Sequence, residues 1–461
     1  MQNETKTSID VIVIGAGLTG LTTAHTLRKR GKKVLVIEKE QRIGGQIQTH
    51  RQGDFTFESG PNTGVVSCPE VAELFQDLTK WGCTLEEAHE EAKQRWIWKG
   101  TSFHALPADP IAALRTPLFT WHDKFGILLE PFRPKGTDPN EDLASMVVRR
   151  LGKSYLDYAV DPFISGVYAG NPHALITRFA LPKLYNLEQN YGSFIRGAIA
   201  KRKEKKSDRE RLATKKVFSA VGGIGHLTDA LAQSVGLSNI ILGANEVVVM
   251  PIGGQWQVEY TTETGEKVSL QSRNVITTVG AYALKAMLPF VKAGDMAPIS
   301  ALRYAPIVQV SVGLSNAQGI EHKAFGGLIP TCEQQQLLGI LFPSACFSQR
   351  CPAEGALFSF FLGGMKHGEM LGKTNEELRE LVTKALSKML GFPQDVEPDM
   401  VQIFRHEHAI PQYELSSGAR FAAIKRIEQA HPGLILGGNL RDGIGMADRI
   451  RQAVAMGLQI N

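Results

Sequence analysis

The sequence predicts an α/β protein in which one sheet domain is assembled from both ends of the chain. Three observations predict it. A β-branched run opens into a glycine loop and an apolar helix near the N-terminus. A second strand, glycine turn and helix start lie near the C-terminus. Between them are alternating apolar runs and a long helical stretch. The chain has 461 residues, of which 43% are hydrophobic and 21% charged. This is ordinary globular composition, with room for up to about four domains, and it excludes a disordered or fibrous chain.

The run Asp10-Val-Ile-Val-Ile14 reads as a strand buried on both faces of a parallel sheet. It enters Gly15-Ala16-Gly17-Leu18-Thr19-Gly20, and Leu18, Leu21, Ala24 and Leu27 then recur at helical spacing. Arg28, Lys29 and Arg30 complement the helix dipole in the last turn, and Gly31 stops the helix. Lys33-Val-Leu-Val-Ile-Glu38 is the second strand. Strand, glycine loop, helix, strand and terminal acid in register form a dinucleotide-binding, Rossmann-like start. Gly15 permits the tight turn, Gly17 lets a pyrophosphate approach the backbone, and Gly20 lets helix pack on strand. The helix N-terminus supplies free N–H groups. Glu38 is placed to accept hydrogen bonds from ribose hydroxyls, and its charge disfavours a 2′-phosphate.

The next segment favours FAD over NAD. Arg42-Ile-Gly44-Gly45 is a second tight turn that brings more backbone towards the dinucleotide, and Phe57-Glu58-Ser59-Gly60-Pro61-Asn62 follows. The tail, Gly433-Leu-Ile-Leu-Gly-Gly438-Asn439 and then Gly443-Ile444-Gly445-Met446-Ala-Asp448, repeats strand, turn and helix start over Ala447 to Met456. Terminal segments that share one dinucleotide imply a discontinuous domain with insertions. The expected division is 1–80, 217–280 and 402–461 for a discontinuous Rossmann-like FAD-binding domain. A mixed-sheet substrate domain takes 81–110 and 281–401, and an inserted helical domain takes 111–216. The runs Trp256-Gln-Val-Glu-Tyr260 and Val308-Gln-Val-Ser-Val312 fit a mixed sheet forming the substrate-domain floor. In the insert, Trp121, Phe125, Leu128, Leu129 and Phe132 form an apolar stripe interrupted by Pro131, and its default reading is a core face.

Between Arg196 and Lys216 there are ten Lys/Arg against three Asp/Glu, a local balance of +7 in a chain of net +5. The block reads as a solvated helix end or as a contact with an anionic membrane surface. Nucleic acid is disfavoured because no aromatics interleave with the basic residues. Five cysteines without a CxxC pair argue against a disulfide scaffold and a tetrahedral zinc site. His406 and His408 share a strand face but lack a third ligand cluster, so no metal is expected. The polar start Met1–Thr7 and the lack of a spanning apolar run predict a cytoplasmic chain, soluble or peripheral on the cytoplasmic membrane face. Arg95, on the strand-like Arg95-Trp-Ile-Trp98, carries a planar guanidinium suited to bidentate carboxylate binding.

These motifs resemble the flavin-containing amine oxidase and protoporphyrinogen oxidase superfamily, and within it the protoporphyrinogen oxidase family. The resemblance rests on the glycine loop, Glu38, Arg42-x-Gly44-Gly45, Phe57–Pro61, Arg95–Pro107, Gly166-Val-Tyr-Ala-Gly170, Ala409-Ile-Pro-Gln-Tyr413 and Gly443–Asp448, in order over essentially the whole chain. It implies FAD as cofactor. The residues it places at FAD are Gly15, Ala16, Gly17, Leu18, Thr19, Gly20, Glu38, Lys39, Arg42, Gly44, Gly45, Gln46, Gly60, Pro61, Asn62, Thr63, Val247, Asn439, Ile444, Gly445 and Met446. It implies that Arg95 anchors a substrate propionate, that Gly170 borders the substrate cavity, and that the inserted domain meets a membrane. Gln46 and the run after Asn439 depart from the family pattern. The implied reaction is oxidation of a porphyrinogen to a porphyrin in haem biosynthesis, with dioxygen as acceptor. Protoporphyrinogen IX is the first choice, with coproporphyrinogen III oxidation and amine oxidation as alternatives. No catalytic acid–base side chain is expected, because the flavin itself takes the hydride.

Overall fold

The computed structural model describes residues 9–460, and the polar run Met1–Thr7 lies outside them. Ile9–Ile14 (β1), Leu18–Lys29 (α1) and Val34–Ile37 (β2) form the expected start. β1 pairs in parallel with β2 and with the strand Lys267–Thr277. The C-terminal strand Leu434–Leu436 pairs in parallel with the other edge of Val275–Thr277, so both ends of the chain share one seven-stranded sheet. β1 alternates perfectly between two cores. Val11 and Val13 pack with α1, Pro69–Leu78, Gly225–Val235 and the C-terminal helix Met446–Gln459. Ile12 and Ile14 face the helices Ala281–Met287, Ala293–Ser300 and Ser417–Ala430. A strand covered on both faces has no polar side, which is why its sequence is a continuous β-branched run.

The second sheet runs in the order Met400–Pro411, Tyr304–Leu314, Ala356–Gly363, Leu337–Leu341, Gly326–Leu328, Arg95–Lys99, Ser102–Ala105. It packs on the helix Asn375–Leu390. Two assignments shift. Trp256–Tyr260 belongs to the first sheet, where Gln255–Thr261 pairs antiparallel with Lys267–Thr277. Met400–Pro411 pairs along Tyr304–Leu314 in the second sheet, so the boundary expected at 402 falls inside one strand.

The inserted region is helical, and its helix Lys153–Tyr168 contains two π-helical turns, Leu156–Val160 and Ile164–Tyr168. The apolar stripe is not a core face. Trp121, Phe125, Leu128, Leu129 and Phe132 are all exposed, Phe132 by 77%. The physical reason is Glu130, which takes the interior instead. Its carboxylate pairs with the buried Arg150 and accepts from Ser193 and from the N–H groups of Phe194 and Ile195, at 2.9 and 3.2 Å. That inverts the polarity of the turn Ile127–Phe132 and turns its leucines outwards. No described helix is long and apolar enough to cross a membrane.

Candidate cofactor and substrate site

The glycine loop lies at the end of β1. Gly15 has φ +106°, and a Cβ there would stand 2.7 Å from Thr278 Oγ1. A Cβ at Gly20 would run into the Gly15 carbonyl oxygen, so this glycine sets the approach of helix to strand. A Cβ at Gly17 would meet only Gly45 Cα, at 3.8 Å. The second glycine turn docks backbone on backbone: Gly44 N–H donates to Ala16 O at 2.8 Å, and Gly17 bridges to Gly44. The result is a floor without side chains beside the free first-turn amides of Leu18, Thr19 and Gly20.

Glu38 directly follows β2, over this floor. Its Oε2 accepts from Ala16 N–H at 2.6 Å and its Oε1 from Glu40 N–H at 3.0 Å. Ala244 N–H donates to Glu38 O at 2.9 Å, which sets the strand bearing Val247 alongside. Lys39 and Arg42 are exposed at the rim. Gln46 Nε2 donates to His408 O at 3.1 Å, and Gly60 packs against Gln46 O. Asn62 turns towards the second sheet, accepting from Ser359 Oγ at 2.9 Å. With Thr63 it borders a narrow pocket that Glu58, Phe325 and Arg350 also line; Pro61 precedes the pair. From the other end of the chain, Asn439 Oδ1 accepts from Tyr304 OH at 3.3 Å. Gly438 packs on Thr278 O, and Thr278 Oγ1 donates to Ile14 O and lies 3.3 Å from Gly15 O. Thr278 is thus where the two terminal glycine turns meet. Ile444 and Gly445 lead into the helix whose first residue is Met446, and Gly445 N–H donates to Asp448 at 3.3 Å.

Arg95 opens the predicted strand and is exposed, its guanidinium over the Phe325 ring at 5.6 Å. Among the described residues it has no carboxylate partner within 4 Å. Gly170 is buried against Gln412 and Leu175, and a Cβ there would stand 2.7 Å from Gln412 Oε1. Gly166 lies in a π-helical turn against Leu328, and Leu328 pairs with Ile97 on the Arg95 strand. Gly166 thus borders the strand paired with the Arg95 strand, whereas Gly170 packs away from it on Gln412, Leu175 and Ile164.

Sequence reasoning noted Glu58 within a motif without giving it a role. It is buried, accepts from Thr49 Oγ1 at 2.6 Å and Ile224 N–H at 3.0 Å, and burial pushes its carboxyl up to about 7. His406 points to Ser59 O at 2.5 Å, and burial lowers its pKa from the ordinary value. Glu58 carries no spacing that marks it, and the spacing of His406 with His408 suggests a metal pair rather than this contact, so both environments are set by burial.

The sequence profile described as flavin-containing amine oxidoreductase matches residues 18–447. The chain belongs to that family. This oxidoreductase is 30% identical to protoporphyrinogen oxidase 2, chloroplastic/mitochondrial, of Arabidopsis thaliana, over 95% of this chain and 91% of that one. It is 27% identical to protoporphyrinogen oxidase of Homo sapiens, over 95% and 96%. A candidate protoporphyrinogen oxidase of known structure from Exiguobacterium sp. 255-15 superposes with a TM-score of 0.81 at 20% identity, over 98% and 99% of the two chains. Cyclohexylamine oxidase from Brevibacterium oxydans IH-35A gives 0.69 at 17% identity, over 98% of each chain. The oxidoreductase is an FAD enzyme. Its glycine floor, the free amides of α1 and the Glu38 carboxylate fit a dinucleotide.

Proposed function

We propose that this flavoenzyme oxidises a porphyrinogen to a porphyrin, with protoporphyrinogen IX as substrate and dioxygen as final acceptor. The observation that carries the reading is similarity over nearly the whole chain to proteins named protoporphyrinogen oxidase, at 26–30% identity. The amine-oxidising neighbours of known structure are only 15–17% identical. An amine oxidase would need an aromatic pair before the flavin, and the last sixty residues offer only Phe404, Tyr413 and Phe421. Tyr413 OH bridges Gly443 N–H and C=O at 3.1 Å each, Phe421 packs on Phe179 and Phe404 stacks on His50.

In this reading Gly17, Gly44 and Gly45 hold the pyrophosphate against bare backbone, and the amides of Leu18, Thr19 and Gly20 donate to it. Glu38 exchanges part of its contact with Ala16 N–H for ribose hydroxyls. FAD, when bound, accepts hydride from the substrate. A porphyrinogen meso CH2 lies between two electron-rich pyrroles, so hydride loss leaves a delocalised cation that sheds a proton without a strong base. The chain's task is then to orient a macrocycle, and Arg95 serves as a propionate anchor at the edge of the second sheet. The exposed apolar ridge of the insert, Phe125 to Phe132, with Arg196 over the Phe132 ring at 5.7 Å, supports peripheral contact with an anionic membrane. Part of the basic block is already neutralised, since Arg209 pairs with Glu70 and Glu73 at 2.8 and 2.7 Å.

The deciding assay follows porphyrin fluorescence and peroxide release with protoporphyrinogen IX and coproporphyrinogen III in parallel. Turnover of the first supports the proposal. Turnover of coproporphyrinogen III alone reassigns the substrate, and turnover of neither removes the reading.

A further inference from the structure

Two arginines in the C-terminal part of the chain are charged, buried and without an acid. Arg420 is fully buried; its Nε donates to Leu440 O at 3.0 Å, its Nη2 to Ser417 Oγ at 3.1 Å, and its Nη1 has no partner. Arg449 is 7% exposed; it donates to the Gly438 carbonyl, to Gln452 Oε1 at 3.0 Å and to Arg441 O at 2.7 Å, while its Nε has no partner. Neighbouring acids are engaged elsewhere. Glu414 meets Arg303 at 3.3 Å, Asp448 meets Arg451 at 2.8 Å, and Asp442 accepts from Gln452 at 2.8 Å. Among the described residues neither arginine has a carboxylate within 4 Å. A guanidinium keeps its proton in proteins, so two buried charges stand without a directly paired carboxylate, Asp442 and Asp448 acting on Arg449 and Glu414 on Arg420 only from a distance.

Their hydrogen bonds decide where that charge is felt. The carbonyls of Gly438, Leu440 and Arg441 all turn inwards onto the two cations. The N–H groups of Asn439, Leu440, Asp442 and Ile444 meet no acceptor among the described residues, and those of Met446 and Ala447 are free at the helix start. The turn is therefore positive on its outer face, from its own peptide dipoles and from the guanidiniums behind it.

We propose that Arg420 and Arg449 are positioning cations that hold this turn towards the cofactor and favour the reduced, more negatively charged state of bound FAD. The proposal rests on the FAD reading of this turn and not on the identity of the substrate. Hydride loss breaks the substrate C–H bond and delivers two electrons and one proton to the flavin. The substrate cation releases its proton to solvent, so negative charge accumulates on the flavin side, where a fixed positive charge favours it.

The test is the two-electron midpoint potential of bound flavin in full-length R420Q, R449Q, R420K and R449K, read by absorbance against a reference dye. Each Gln variant keeps a donor and loses the charge, and its reduction equilibrium should fall at least tenfold, or about 30 mV. The Lys variants should stay near wild type. A folded Gln variant that releases FAD while its Lys counterpart retains it supports the same assignment. A Gln variant that does not fold leaves the test to the other arginine. Unchanged potentials in the flavin-loaded Gln variants overturn the proposal, as do Lys variants that fall as far as Gln. Porphyrinogen turnover does not enter this measurement, so the substrate reading can fail independently.

Discussion

The apolar ridge of the inserted region makes the membrane proposal quantitative. Phe125 is 63% exposed and Phe132 77%. Full burial of such a side chain is worth about 1.5–3 kcal/mol. Scaling by the exposed fractions gives about 2–4 kcal/mol for the pair, an upper value if the rings enter the lipid only in part. Phe125→Ser with Phe132→Ser should therefore weaken binding to anionic vesicles by about 30- to 1,000-fold. Because both rings already face solvent, stability should move by no more than about 0.5 kcal/mol per site. Co-sedimentation with vesicles of graded anionic content, repeated at low and high salt, separates this apolar share from attraction by the basic helix Phe194–Lys203, which salt screens. Equal binding by wild type and the double variant, or no binding by wild type, would refute the reasoning and leave the ridge as surface for another contact.

Arg95→Ala should raise KM for the porphyrinogen by about ten- to a hundredfold, the loss of a charge-assisted pair worth about 1.5–3 kcal/mol, with a smaller change in kcat. Steady-state kinetics check this, and a wild-type KM would return Arg95 to the plain surface. Gly17→Val should fold, because its Cβ would find only Gly45 Cα at 3.8 Å, yet purify colourless since its methyls stand on the pyrophosphate floor. A fully yellow variant would show that the floor has been misread. Glu58→Gln tests the buried carboxyl. Because its folded pKa of about 7 lies above the ordinary 4.5, the folded state holds the proton more tightly, and wild-type stability falls as pH rises from about 4.5 to 7. The interval of 2.5 units corresponds to about 3 kcal/mol at most. Melting temperatures across that window should slope less in Glu58→Gln, and parallel profiles would count against the assignment.

The start of the first sheet was legible because its signals are local. A doubly covered strand shows itself in Val11–Ile14, and Gly15 and Gly20 each answer a clash that any Cβ would create. Sheet membership was not legible for Trp256–Tyr260 or for Met400–Pro411. Alternation announces a strand but not its neighbour, and here the neighbours are chosen by long-range pairing. The stripe from Trp121 to Phe132 shows the same limit in another form. Helical spacing of apolar residues looks alike whether the stripe faces in or out, and only the pairing of Glu130 with Arg150, 20 residues further on, decides. At the site, the glycine turns were readable and the orientation of Asn62 was not, since Ser359 comes from a distant strand. Arg420 and Arg449 lie in helices where a cation normally means a wet surface, and nothing in their spacing distinguishes a buried one.

The sharing of one sheet by both ends of the chain has a consequence for biosynthesis. A ribosome delivers β1, α1 and β2 long before Leu434–Leu436 and Met446–Gln459. Until then the edge of Val275–Thr277 has no partner strand, and α1 lacks the helix that covers it. The nascent chain must therefore keep the apolar face of α1 shielded until Met446–Gln459 is made, and the free edge of Val275–Thr277 from its own synthesis until Leu434–Leu436 follows. Cofactor capture therefore waits for the turn Gly438–Gly445, and a chain terminated before that turn should not turn yellow.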